Sequence, residues 1–202
     1  MHASRTDRFV SGLVLGAGGS ARLGRPKQLL PYGETTLLGH VVATAQACRF
    51  DQLLVVVGGA ADEVRDEVDL SGADVVVNQE FGSGCSSSIA AALRALDPRC
   101  DLLVLLLGDQ PGVTPATVET LLAGRGEAPL AVCRYTDGLG HPLAFGRELF
   151  AKLADLHGDK GVWRLLDQHA AEAVEVPVAG PIPRDVNTER DYAELLAERR
   201  PG

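Results

Sequence analysis

The run Phe9-Val10-Ser11-Gly12-Leu13-Val14-Leu15 breaks into Gly16-Ala17-Gly18-Gly19-Ser20-Ala21-Arg22-Leu23-Gly24-Arg25-Pro26-Lys27. A short run that is mostly apolar on both faces, followed by a glycine-rich loop, reads as a buried parallel strand with a ligand loop at its carboxyl end. Further short apolar runs lie at 53–57, 75–77, 102–107, 130–133 and 142–145. Between and after them, amphipathic stretches predict helices over 37–47, 60–68, 86–96, 115–122, 147–156, 160–169 and 189–198. Thr114 before Pro115 supplies an N-cap with proline at the first helical position. This alternation predicts an α/β fold with a doubly wound, mostly parallel sheet, a Rossmann-like single domain over 1–202 with its core at about 10–196.

Composition narrows the function. The 202 residues are 46% hydrophobic and carry a formal net charge of −8, enough apolar content for one sizeable core and the wrong sign for nucleic acid as a bulk partner. No stretch of eighteen apolar residues predicts a membrane span, and residues 1–8 lack the apolar segment of a signal peptide, so a cytoplasmic protein is expected. Cys48, Cys85, Cys100 and Cys133 are too irregularly spaced for a zinc site or a disulfide framework. Three lie beside apolar stretches and read as core residues, and Cys85 reads as an inert thiol in a Gly/Ser loop.

In a doubly wound sheet the ligand sits beyond the carboxyl ends of the strands. Four glycines between Gly16 and Gly24 allow backbone N–H groups to approach an anion, and Arg22, Arg25 and Lys27 add positive charge at one place. That combination suits a triphosphate. Gly16, Gly18 and Ala21 also fit the dinucleotide pattern GxGxxG/A. Pro26 and Pro31 interrupt the helix that pattern requires, and the second strand ends in Val57-Gly58-Gly59 with no acid for a ribose. The Walker form fails for want of Gly-Lys-Ser/Thr.

The other carboxyl-end loops carry weaker signals. Gly108-Asp109-Gln110-Pro111 puts a carboxylate directly after the most apolar strand, where it serves either a cation or a turn. Asp185-Val186-Asn187-Thr188 precedes the last helix, with Thr188 and Asp191 spaced as a variant capping box. Asn78 to Ser88 leads into a helix whose first N–H groups suit a phosphate or an ordinary cap. Trp163 reads as packing.

Residues 15–30 closely resemble the signature of the MobA-like NTP-transferase family, and within it the molybdenum cofactor cytidylyltransferases. The resemblance extends over about residues 10–196; Gly16 stands where the family form has alanine. It implies a nucleotide site formed by Leu15, Gly16, Ala17, Gly18, Gly19, Ser20, Arg22, Lys27, Asn78 and Gly108, with Arg22, Lys27 and Asp109 catalytic. It implies Mg2+ held by Asp109 and Asp185; Asn187 replaces a frequent aspartate there and drops a charge. Gly84, Ser86, Ser87, His141 and Asp159 match family turns on the acceptor side. Ala17 and Gly108 resemble the cytidine branch, since guanylyl-transferring relatives tend to have Gly and Cys there.

The implied reaction is CMP transfer from CTP to the phosphate of molybdenum-loaded molybdopterin, with release of pyrophosphate. Other expected readings are another NTP or acceptor on the same fold (a sugar phosphate, phospholactate, or GTP-dependent guanylyl transfer), an NAD(P)-binding oxidoreductase, and a non-catalytic cofactor carrier. The expected partners are the NTP and molybdopterin, with transient docking to a molybdenum hydroxylase or its chaperone, and neither nucleic acid nor membrane.

Overall fold

The structure, a computed structural model, describes residues 8–18, 20 and 23–199. Chain order gives β1 (Phe9–Gly16), the two-residue strands β2 (Pro31–Tyr32) and β3 (Thr35–Thr36), α1 (Leu37–Ala47), β4 (Gln52–Val57) and α2 (Ala61–Glu67). Then come β5 (Asp74–Val77), α3 (Cys85–Arg94), β6 (Cys100–Leu107) and α4 (Pro115–Arg125). The remainder comprises β7 (Leu130–Tyr135), β8 (Gly138–Gly146), α5 (Phe150–Ala154), α6 (Gly161–Gln168), β9 (Ala173–Pro177) and α7 (Glu189–Arg199).

Seven strands form one sheet in the order β5-β4-β1-β6-β8-β7-β9, and β2 and β3 form a separate hairpin. β1 pairs in parallel with β4 and β6. Alternation of side chains sorts the core onto two faces. Val14, Val55 and Val104 pack toward Val41 and Val42 of α1 and Val118 and Leu121 of α4. Leu13, Leu54 and Leu103 pack on the other face with Ile89 of α3 and Val162 and Leu165 of α6. Strands covered on both faces explain why they read as unbroken apolar runs.

The doubly wound, mostly parallel sheet is as expected, with local corrections. β8 runs antiparallel to β6 and β7. Tyr135 pairs with Gly138, so only Thr136 and Asp137 connect β7 to β8; so short a link makes a hairpin and leaves no room for a parallel crossover. The expected helix over 147–156 divides into a 3-10 turn, Arg147–Leu149, and α5. β9 is an additional strand, paired in parallel with β7 at the sheet edge. Thr114 caps α4 as expected, its side chain accepting from Thr117 N–H.

A third apolar cluster joins Leu23, Leu30, Tyr32, Leu37, Val186 and Leu195. It clamps the far arm of the first loop to α7 and brings the Asp185–Thr188 turn alongside. Val186 N–H then donates to Asp109 O at 3.3 Å.

Candidate active site

The chain lays β1, β4 and β5 outward on one side, then returns to place β6 on the other flank of β1. The crevice between the carboxyl ends of β1 and β6 is therefore the switch point at which such sheets bind ligands. A cavity of about 770 Å³ opens there. Its edges approach closely: Gly108 N–H donates to Leu15 O at 2.9 Å, and a Cβ on Gly108 would lie 2.8 Å from that oxygen. Glycine at 108 is thus demanded by packing.

Lys27 crosses the crevice. Its Nζ lies 2.5 Å from Asp109 Oδ2, 3.1 Å from Val186 O and 3.2 Å from Asn187 Oδ1. Both side chains of the Lys27–Asp109 pair are mostly buried. Burial pushes the Asp109 carboxyl above its usual range, the Lys27 ammonium opposes that shift, and the Asp185 charge adds to it. Asn187 Nδ2 donates to Asp185 Oδ2 at 2.5 Å, placing that carboxylate just behind the crevice. Three oxygens converging on one cation, with a second carboxylate behind, form the hard-donor set that Mg2+ prefers. Among the described residues no group of three or more His, Cys, Asp or Glu side chains could hold a metal.

The far wall is aromatic and apolar. His141 and Trp163 meet edge to face, ring centroids 5.4 Å apart; Val162 and Phe81 also border the cavity, the Phe81 ring lying against Gly58 and Gly59. Burial lowers the His141 pKa to about 4, so the ring is neutral at pH 7. Burial raises the Cys85 thiol to about 11, helped by the nearby Asp159 and Asp109 charges, which leaves it inert.

Of the residues singled out from sequence, Leu15, Gly16, Ala17, Gly18, Ser20, Lys27, Gly108 and Asp109 border the cavity, as do Gly84, His141 and Asp159. Gly19 and Arg22 lie outside the described residues. Asn78 does not border the cavity: its Nδ2 donates to Ser87 Oγ at 2.8 Å and Ser88 Oγ at 3.0 Å, tying β5 to α3. Ser86 and Ser87 are likewise turned to structural work. Ser86 Oγ donates to Gly158 O at 2.5 Å, and Ser87 Oγ to Gly84 O at 2.8 Å. Asp159 accepts from Cys85 N–H at 3.0 Å, so this carboxylate already occupies the start of α3 that was expected to receive an anion. Arg25 pairs with Glu189 at 3.2 Å at the surface and adds no charge at the crevice. Sequence reasoning missed Gln28, Phe81, Ser88, Val162 and Trp163 as lining residues. Helical spacing hid Trp163, which lies in the same helix as the core residues Leu165 and Leu166.

A glycine-rich loop, a lysine at its end and a carboxylate after the neighbouring strand meet at the switch-point crevice of a Rossmann-like sheet, an arrangement suited to a nucleoside triphosphate. A family model described as the MobA-like NTP transferase domain matches residues 12–174, and the chain belongs to that family. The crystal structure of a Mycobacterium tuberculosis Rv0371c homologue from Mycobacterium sp. strain JC1 superposes with a TM-score of 0.89 at 52% identity, over 94% of this chain and 96% of that one. A manganese complex of Rv0371c itself gives a TM-score of 0.84 at 45% identity, over 93% and 98%. Nicotine blue oxidoreductase from Paenarthrobacter nicotinovorans is 32% identical over 168 residues, 79% of this chain and 82% of that protein. The bifunctional protein GlmU of Paraburkholderia phymatum is 34% identical over 83% of this chain, which spans only 35% of that protein.

Proposed function

We propose that the protein transfers CMP from CTP to the phosphate of molybdenum-loaded molybdopterin, releasing pyrophosphate, with Mg2+ as its metal. The observation carrying this reading is the Lys27–Asp109 contact across the crevice, directly against the glycine-rich loop. The acceptor phosphate oxygen attacks the α-phosphorus in line as pyrophosphate departs. The acceptor is already an anion near neutral pH, so no general base is required, and positioning and electrostatics dominate. The loop from Leu15 to Ser20 receives the triphosphate, and Lys27, with Arg22, offsets its charge. Asp109 and Asp185, joined by Asn187 Oδ1, would hold Mg2+, which when bound neutralises phosphate oxygens.

The Trp163–His141 pair would suit the planar pyrimidine ring of the pterin acceptor, with neutral His141 offering a ring edge and no charge. With Gly108 explained by packing, the choice of cytidine rests on Ala17 by resemblance. The reading includes a cytoplasmic protein that docks transiently on a molybdenum hydroxylase or its chaperone.

A second reading is favoured by one observation, the similarity to a protein named as an oxidoreductase. In it Gly16, Gly18 and Ala21 receive NAD(P). The end of β4, Val57-Gly58-Gly59, has no acid for the ribose, and the Lys27–Asp109 pair has no part in it.

The test is pyrophosphate release with Mg2+ from CTP, GTP, ATP and UTP, each with and without molybdenum-loaded molybdopterin. Release that needs both CTP and the pterin is expected, and Asp109→Ala abolishes it at subsaturating Mg2+. NADPH oxidation without Mg2+, with no pyrophosphate formed, would overturn the transferase reading in favour of the second.

A further inference from the structure

Two carbonyl oxygens of the glycine-rich loop are held by a single buried amide. Gln28 Nε2 donates to Gly16 O at 2.7 Å and to Gly18 O at 2.8 Å. The Ser20 hydroxyl lies 3.4 Å from both Gln28 Oε1 and Gly18 O, and it accepts from Lys27 N–H at 2.9 Å. Gln28 is only 5% exposed, on the 3-10 turn Lys27–Leu29 whose neighbour Leu30 is anchored in the core. Both of its protons thus go to the loop.

Glycine-rich backbone can turn either its N–H or its C=O groups toward a ligand. A site for a polyphosphate must keep the carbonyls, each the negative end of a peptide dipole, off the anion. The Gln28 amide binds both carbonyls at once, which takes a side chain with at least two protons to give. Glutamate at 28 has no protons to give, and methionine fills the volume without donating.

We infer that Gln28 is a positioning residue that fixes the loop in its anion-receptive form. The anion being the triphosphate rests on the proposed nucleotidyl transfer; the effect on the loop does not.

The test compares the full chain with Gln28→Met and Gln28→Glu. Calorimetry measures affinity for the Mg2+ complex of each NTP, and for the nucleoside of whichever NTP binds best. Hydrogen exchange follows the amides of Ala17, Gly18 and Ser20 without ligand. Both variants are expected to exchange faster in this loop alone. NTP affinity falls about tenfold while nucleoside affinity is unchanged, as expected when charge-assisted loop contacts are lost. Unchanged loop exchange in either folded variant, or NTP affinity like that of wild type, overturns the inference. A loss shared equally by nucleoside and NTP also overturns it, since it marks a general structural defect. If wild type binds no NTP, the transferase reading fails alone, and the exchange arm still decides the role of Gln28. Should one variant not fold, the other supplies both readouts.

Discussion

The Lys27 ammonium sits 2.5 Å from Asp109 Oδ2 in an oxygen cage completed by Val186 O and Asn187 Oδ1, which includes two of the residues proposed to hold the metal, Asp109 and Asn187.

Replacing that cation has two opposed consequences. Lys27→Met leaves the mostly buried Asp109 unpaired, and an unfolding free energy about 2 kcal/mol lower is expected from urea titration without metal. The same variant frees the oxygen cage, so Mn2+ binds the nucleotide-free protein about tenfold more tightly, read by electron paramagnetic resonance of free Mn2+. Weaker Mn2+ binding by Lys27→Met would show that the lysine does not compete for this site.

His141 gives stability a pH dependence. Its pKa falls from 6.5 unfolded to about 4 folded because burial penalises the charged ring. Between those values the unfolded chain binds more protons, so the contribution is full above pH 6.5 and is lost as pH falls toward 4. From pH 7.5 to pH 5 this group alone lowers stability by about 2 kcal/mol. Urea unfolding at the two pH values should show a difference smaller by that amount in His141→Gln; an equal difference would place the pH dependence elsewhere.

Trp163→Ala removes half of the aromatic wall. If the wall receives the acceptor, KM for the pterin rises about tenfold and KM for CTP stays within about twofold. Steady-state kinetics with each substrate varied separates the two. A rise confined to CTP would reverse the assignment of the walls.

The turn bearing Asp185 and Asn187 is fastened by a capping box. Asp191 N–H donates to Thr188 Oγ1 at 3.2 Å, and Thr188 N–H donates to Asp191 Oδ2 at 2.7 Å. Thr188→Ala should cost about 1 kcal/mol in chemical denaturation, and Thr188→Ser much less. Equal losses in both variants would assign the effect to the threonine methyl.

Short-range chemistry was legible in the chain. Runs such as 102–107 are buried on both faces, so their apolar character is continuous, and Thr114-Pro115 and Thr188…Asp191 act within one helical turn. The glycine-rich loop and Asp109 were legible too, since each directly follows a strand, and a strand end in such a sheet is where ligands gather.

Pairings between distant segments were decided only by folding. That Lys27 meets Asp109, that Asp159 caps α3, and that Asn78 binds serines instead of facing the cavity depend on side chains far apart in sequence or on how strands stack. Gln28 and Trp163 carry no local mark of function, because their roles come from which carbonyls and which ring the tertiary structure sets beside them. The reversal of β8 turned on two residues of hairpin, a length too short for any crossover, while hydropathy is the same for a strand running in either direction. The sequence by itself thus determined the covered sheet and the loops at its carboxyl ends; the tertiary structure decided which charges face each other across the crevice, because electrostatic pairing depends on distance in space and not along the chain.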